Sequence, residues 1–156
     1  MSDPEILALI GPQVLREAGR RYYVRTPRTG QRVVLDSPER VARHFRARLE
    51  DQPQEHFFVV TVDPRLRILG THLVAKGGIS HVHVLPREVF RPAILDGATG
   101  ILIAHNHPTG DPEPSQEDVE LTARLRQAGE LIGIKVLDHL VVGREGYVSL
   151  RERGQV

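Results

Sequence analysis

Apolar and polar residues follow two alternating periods along the chain, and each change of period predicts the limits of a helix or a strand. Helical spacing predicts helices over residues 4–19 (kinked or broken at Pro12), 38–51, 86–97 and 115–132. Runs rich in β-branched and aromatic residues predict strands over residues 22–26, 32–35, 55–63, 67–74, 79–85, 100–105, 135–142 and 147–150. The first two strands flank a Pro-Arg-Thr-Gly turn and predict a hairpin. This order predicts an α/β fold of the α+β type, with a mixed, mostly antiparallel sheet flanked by helices.

Composition narrows the class of protein. The 156 residues, 40% of them hydrophobic, are enough for one domain with a core. No apolar run approaches the roughly 20 residues that span a bilayer, and the acidic N-terminus does not fit a secretory signal. We therefore expect a cytoplasmic protein with no membrane partner. Because the chain has no cysteine, only histidines and carboxylates remain as strong metal ligands.

Positive charge is concentrated near the N-terminus. Residues 16–48 hold ten arginines against three acidic residues, a local charge of +7 in a chain whose net charge is +1. This region is a candidate surface for nucleic acid or an acidic partner. The alternative is a general preference for arginine, because 19 of the 21 basic residues are Arg.

The stretch 101–118, ILIAHNHPTGDPEPSQED, carries the candidate chemistry. An apolar strand leads to His105 and His107, which point to the same side of a strand because they are two residues apart. Three prolines and a glycine exclude helix and sheet from the next segment. Ser115 then begins a helix on which Asp118 starts an apolar stripe formed by Leu121, Leu125, Ala128 and Ile132.

Two interpretations of this stretch compete. Ser115 and Asp118 alone are typical of a capping box, in which a helix start satisfies its own backbone groups. With two histidines directly before them, the same residues fit a zinc site of two imidazoles and one carboxylate. Three protein ligands leave a fourth position for water, which is typical of catalytic zinc.

The same stretch resembles a known family. The spacing H-x-H-x7-S-x-x-D, from His105 to Asp118, resembles the core motif of the JAB/MPN (JAMM) metalloprotease fold, which is also cytidine-deaminase-like. The fuller run HNHPTGDPEPSQED, with a downstream LDH at residues 137–139, resembles the RadC family of bacterial proteins. Residues 55–57 and 86–88 match that family as well. The resemblance covers about residues 37–150, and several fixed spacings agree at once.

The resemblance implies a role for five residues. His105, His107 and Asp118 would bind Zn2+, and a zinc-bound water would act as the nucleophile. Glu55, at the start of a predicted strand, would be the general acid and base, and Ser115 would hydrogen-bond the oxyanion. The implied substrate is a peptide or protein with a peptide or isopeptide bond to be cleaved.

Other acidic residues and histidines have competing explanations. Glu88 is the rival carboxylate to Glu55, but an acid is expected in the first turn of a helix. Asp138 and His139 fit either a role in orienting a ligand histidine or a buried structural pair. The second H-x-H, His81 and His83, is interpreted as a strand surface. His44, His56 and His72 carry no functional signal.

We predict two regions: an N-terminal helix and hairpin over residues 1–36, and a RadC-like MPN (JAB) domain over residues 37–156. Members of the family usually carry an N-terminal helix-hairpin-helix region, and residues 1–36 have no such signature. The predicted function is a zinc-dependent metallohydrolase. The alternative is an accessory protein of DNA repair or recombination that binds nucleic acid or a partner with little or no turnover. Strands at the sheet edges are compatible with a homodimer.

Overall fold

A computed structural model of the protein describes residues 22–25, 33–77 and 84–156. The strands in these residues are β1 (Tyr22–Arg25), β2 (His56–Val62), β3 (Ile68–Lys76), β4 (Gly100–Asn106), β5 (Lys135–Val142) and β6 (Tyr147–Ser149). The helices are α1 (Pro38–Leu49), α2 (Pro86–Asp96) and α3 (Gln116–Ile132). Predicted elements that lie between residues 37 and 77 or after residue 85 are confirmed, with ends that agree within two residues.

One six-stranded sheet organises the fold. Its strand order is β1-β3-β2-β4-β5-β6. Only β4 and β5 pair in parallel, and every other pair of neighbours among these six strands is antiparallel. Helix α3 connects β4 to β5, since parallel neighbours need a crossover connection. The predicted α+β class with a mixed, mostly antiparallel sheet is confirmed.

The helix limits follow from local chemistry. The Ser37 side chain accepts a hydrogen bond from the Arg40 backbone N–H at 3.3 Å, and prolines occupy the start of both α1 and α2. Gly97 and Gly133 end α2 and α3 in the left-handed region, with φ of 67° and 75°. These are the preferred residues at helix starts and ends.

The sheet has a hydrophobic core on each face. Along β4, Ile101 and Ile103 pack on the face covered by α2 and α3, and Leu102 and Ala104 pack on the face covered by α1. All seven residues of β4 are buried. Because side chains alternate along a strand, His105 continues the face of α2 and α3. The candidate site therefore lies at the end of a fully buried strand, next to the hydrophobic core.

The predicted hairpin near the N-terminus is wrong in its pairing. Strand β1 pairs with β3, where Tyr22 lies opposite Leu73. From the predicted second strand, Val34 makes only an isolated bridge with Arg67. The prediction assumed that neighbours in sequence pair, whereas β3 offers an edge to both segments. The turn between them, the helix predicted over residues 4–19 and most of the strand predicted over residues 79–85 lie outside the described residues.

The apolar stripe of α3 is shorter than predicted. Leu121 and Leu125 are buried as expected, but Ile132 is 47% exposed. The chain turns at Gly133 immediately after it, and Ile134 enters the core instead. No helix in the described part of the chain is long and apolar enough to cross a membrane.

Candidate metal centre

Two histidines and one aspartate meet where β4 ends and α3 begins. His105 is buried within β4, and His107 follows the strand at a partly exposed position. Asp118, in the first turn of α3, places its Oδ1 3.2 Å from His105 Nε2 and its Oδ2 3.1 Å from His107 Nε2. The two Nε2 atoms are 3.1 Å apart. One ligand atom from each residue lies within 4.8 Å of the others, so the three side chains could hold a metal ion.

The outer nitrogen of each imidazole has its own partner. His107 Nδ1 lies 2.9 Å from the backbone oxygen of Asp111, and because a carbonyl only accepts, Nδ1–H is the donor. His105 Nδ1 lies 2.8 Å from Nε2 of His139. Metal-binding histidines usually bond their second nitrogen in this way. Both Nε2 atoms therefore face the same point while the rings are held from behind.

Asp118 is held in its ionised form. Burial alone would raise the pKa of Asp118, but hydrogen bonds from His105, from His107 and from the Ser115 backbone outweigh burial and lower this pKa well below its ordinary value. The hydrogen bond with Asp118 in turn raises the pKa of His107, against the opposing effect of burial. A carboxylate that stays ionised is in the state that a metal ion requires.

The loop between the ligands is braced by two other segments. Gly110, with φ of 86°, donates its N–H to the His107 carbonyl at 2.9 Å. Its own carbonyl accepts from the Arg144 N–H at 2.8 Å. Glu113 forms a two-pronged ion pair with Arg153. The loop lacks helix and strand, as predicted, but its contacts with the β5–β6 turn and the C-terminal segment fix its path.

Ser115 forms the complete capping box. Its Oγ accepts from the Asp118 N–H at 3.1 Å, and its N–H donates to Asp118 Oδ2 at 2.8 Å. The same Oδ2 faces His107. Capping and metal binding are therefore not exclusive, because one carboxylate can serve both. The Ser115 hydroxyl keeps one hydrogen that it can donate.

Glu55 directly precedes β2, at the end where His107 lies. Phe57 pairs with His105 in the antiparallel register of β2 and β4, so Glu55 and His107 each lie two residues beyond this pair, at the same edge of the sheet. The negative charge of Glu55 makes a small contribution to the raised pKa of His107. The Glu55 carbonyl accepts from the Gly77 N–H at 2.9 Å.

Asn106, between the two histidines, hydrogen-bonds the backbone of residues 54–56 from the opposite face of the sheet. Its Oδ1 accepts from the His56 N–H at 2.7 Å, and its Nδ2 donates to the Gln54 carbonyl at 3.1 Å. These bonds fix the backbone on both sides of Glu55. Sequence reasoning missed this role, although an amide between two candidate ligands is a signal that could have indicated it.

The side chains of Asp138 and His139 have different partners and different roles. The Asp138 carboxylate accepts from Ser149 Oγ at 2.6 Å and from the Arg151 N–H at 3.1 Å, so it fastens the end of the chain. The His139 ring points the other way, toward His105. Burial lowers the pKa of His139 well below its ordinary value. Sequence reasoning named this residue but left its role open, and it did not identify Thr122, which contacts the same ring.

The remaining candidates that the structure describes do not belong to the group of three ligands. Glu88 is in the first turn of α2, 3.8 Å from Arg87, and the group of three ligands found in the described residues does not include it. His81 and His83 lie outside the described residues. His72 contacts Asp96, and His44 contacts Thr71.

Only part of the basic region can be placed. In α1, Arg40, Arg43 and Arg46 are exposed to solvent. The other arginines of residues 16–32 lie outside the described residues, or have side chains that do. A nucleic-acid surface therefore stays a prediction.

The mixed sheet, with an H-x-H strand end facing an aspartate on the following helix, defines an α+β domain with a candidate metal site. The chain belongs to the family of RadC-like JAB domains, whose model matches residues 35–155. This confirms the expected family. The JAB/MPN class includes metalloproteases, but the family match by itself assigns no activity.

Relatives extend over most of this chain. It is 41% identical to a UPF0758 protein of Syntrophotalea carbinolica over 98% of its own length and 69% of the relative. It is 41% identical to one from Geotalea uraniireducens, over 90% of the chain and 60% of the relative. With one from Symbiobacterium thermophilum it shares 46% identity over 80% of the chain and 53% of the relative. The chain thus spans about half to two thirds of the length of these relatives, whose names state no function.

Proposed function

We propose that the protein is a zinc-dependent hydrolase that cleaves peptide or isopeptide bonds. The observation that carries the proposal is the convergence of His105 Nε2, His107 Nε2 and the Asp118 carboxylate within 4.8 Å. Two nitrogens and one oxygen suit zinc, and three protein ligands leave a position open, as in catalytic rather than structural sites. The ionised state of Asp118 supports the same assignment.

A zinc ion at this point would supply Lewis-acid chemistry, which polarises a carbonyl and activates water near neutral pH. The residues of the chain then have distinct tasks. His105 and Asp118 supply buried ligand atoms, whereas His107 lies at the partly exposed side from which a substrate would arrive.

Glu55 is proposed as the group that moves protons. It would take a proton from the attacking water and return it to the amine that leaves, which is the usual work of a general acid and base. Two observations support this role: Glu55 and His107 each lie two residues beyond the Phe57–His105 pair, and the charge of Glu55 influences that histidine. Asn106 keeps the backbone around Glu55 in place.

Ser115 is proposed to stabilise negative charge on the substrate carbonyl. Its oxygen is oriented by the Asp118 N–H, so its hydroxyl hydrogen is available to an oxyanion. The N-terminus of α3 adds a favourable electrostatic field at the same place.

The test has a binding part and a catalytic part. We expect about one zinc per chain in the purified protein and little zinc in a His107→Ala variant, as measured by plasma emission. Hydrolysis is followed with labelled casein and with a lysine ε-amide dipeptide. A Glu55→Gln variant should keep its zinc and lose hydrolysis, whereas Glu130→Gln, which removes an exposed carboxylate from the far end of α3, should keep both.

Each part can contradict the proposal separately. Equal zinc in wild type and His107→Ala would remove the metal centre. Zinc that binds normally, without any Glu55-dependent cleavage of either substrate, would contradict the hydrolase and favour a binding function.

A further inference from the structure

The imidazole of His139 is completely buried behind the candidate metal centre, between β5 and α3. Its Nε2 lies 2.8 Å from His105 Nδ1, and its Nδ1 lies 2.6 Å from Thr122 Oγ1. Both nitrogens are therefore hydrogen-bonded. The direction of each bond can be worked out from the number of hydrogens that each group carries.

Thr122 determines the first bond. Its Oγ1 lies 2.6 Å from the backbone oxygen of Asp118, one turn earlier in α3. A carbonyl oxygen only accepts, so the single hydroxyl hydrogen of Thr122 is donated to Asp118. Toward His139, Thr122 can then only accept. His139 Nδ1 must therefore carry a hydrogen and donate it.

The second bond follows from the charge of His139. Its two hydrogen-bond partners are a hydroxyl and an imidazole, neither of which is an anion. A charged imidazole without exposure to water and without a bonded carboxylate is costly. His139 is therefore neutral, and with a hydrogen on Nδ1 its Nε2 can only accept. The donor in that bond is the Nδ1–H of His105.

We propose that His139 is a positioning residue, which fixes the ring orientation of His105 and a hydrogen on its Nδ1, and so directs His105 Nε2 into the metal centre. Thr122 extends the same chain of hydrogen bonds to the backbone of Asp118. The chain thus joins β4, β5 and α3 behind the site, and it links two of the three ligand residues. Phe57 packs against both rings, with centroid distances of 6.0 Å to His105 and 5.6 Å to His139.

Only the expected effect on metal affinity rests on the proposed function. The hydrogens on Nδ1 of His105 and His139 are themselves a property of the metal-free protein. A His105 ring that is already oriented should bind metal more tightly than a free one, because outer partners of ligand histidines typically contribute about 10- to 100-fold in affinity.

The first experiment is proton-detected NMR of 15N-histidine-labelled, metal-free protein in chelator. We expect hydrogens on Nδ1 of both His105 and His139 and a bare Nε2 on His139. A hydrogen on His139 Nε2, or a bare Nδ1 on His105, would overturn the proposal whether or not the protein binds zinc.

The second experiment measures affinity by cobalt absorption and zinc competition. We expect a roughly 10- to 100-fold weaker Kd in His139→Phe, a loss toward the lower end of that range in Thr122→Val, and recovery in Thr122→Ser. Thr61→Val is the matched control, because it removes an equally buried hydroxyl away from the ligands.

The outcomes separate this inference from the hydrolase proposal. Wild-type affinity in both His139→Phe and Thr122→Val would contradict the positioning role while the metal centre stands. Equal losses in Thr122→Val and Thr61→Val would also contradict it, because the effect would then be general stability. Absence of zinc binding in wild type would contradict the metal centre, whereas the NMR result would still decide which nitrogens of His105 and His139 carry hydrogens.

Discussion

Two groups of histidine and aspartate lie on the same face of the sheet, and they differ in what they can do. In the metal centre, one carboxylate faces two imidazoles, with Asp118 3.2 Å from His105 and 3.1 Å from His107. In the second group, Asp96 Oδ2 lies 2.7 Å from His72 Nε2 and 2.6 Å from Thr61 Oγ1.

The second group, the structural His72–Asp96 pair, stabilises the packing of α2 on the sheet. Asp96 is the last residue of α2, where the helix dipole disfavours a negative charge. His72 on β3 and Thr61 on β2 supply the polar partners that this carboxylate needs. Among the described residues, the group of three potential metal ligands does not include this pair. A short His–Asp contact is therefore not in itself a sign of a metal site.

The largest difference between the two groups should appear when each aspartate loses its charge. We expect Asp118→Asn to weaken zinc binding by more than the roughly 100-fold that outer partners contribute. Asp96→Asn should leave zinc affinity near wild type, because no ligand atom changes. Competition with a chromophoric chelator measures both. Similar losses of zinc affinity in the two variants would show that Asp118 is no more a ligand than Asp96 is.

The sequence predicts the metal centre better than the structural His72–Asp96 pair, because the three ligands lie within one stretch. The spacing from His105 to Asp118 spans a strand end, a proline loop and a helix start, whose local geometry brings the side chains together. His72 and Asp96 come from elements that meet only in the tertiary structure. His72 therefore carries no sequence signal.

The same limit explains what was missed around the site. Thr122 is one turn after Asp118, but its contact with His139 depends on how α3 packs on β5. Asn106 depends on the path of the segment after α1. The misplaced hairpin near β1 has the same origin, because its partner β3 is distant in sequence. Local periodicity predicts the elements well, whereas partners far apart in the chain require the packed fold.

A second prediction concerns the close packing of Gly70 against the structural His72–Asp96 pair. A Cβ added at Gly70 would lie 2.5 Å from His72 Nε2 and 2.6 Å from Asp96 Oδ2. Gly70→Ala should therefore push this pair apart and lower the free energy of unfolding by about 2 kcal/mol, as overpacked sites do. Urea denaturation measures the loss. Gly146→Ala is the control, since an added Cβ there meets nothing within 4 Å.

Zinc affinity in Gly70→Ala sharpens the comparison further. We expect it to stay near wild type, because the overlap involves none of the three ligands. If Gly70→Ala were as stable as Gly146→Ala, the His72–Asp96 pair would not be tightly packed against Gly70. A large loss of zinc at full stability would mean that the two groups are coupled.

A third histidine shows what happens without a carboxylate. On the other face of the sheet, His44 Nε2 lies 3.0 Å from Thr71 Oγ1. Burial, followed by the nearby charge of Arg48, lowers the pKa of His44 from 6.5 to about 4. At the metal centre, by contrast, Asp118 raises the pKa of His107. The carboxylate of Asp118 therefore accounts for the opposite pKa shifts of His44 and His107, although burial lowers the pKa of both.

The smallest predicted effect follows from that lowered pKa. As pH falls below 6.5, the unfolded chain binds a proton at His44 before the folded chain does, so stability present at pH 7 is lost between about pH 6.5 and 4. Since the ring is only partly buried, we expect a loss of about 1–2 kcal/mol rather than the full linkage. The measurement is urea denaturation from pH 7 to pH 4, in chelator, for wild type and His44→Gln. Other groups titrate in both proteins, so the difference between the two curves isolates His44. The variant should lose less stability across this window, and parallel curves would contradict the assignment.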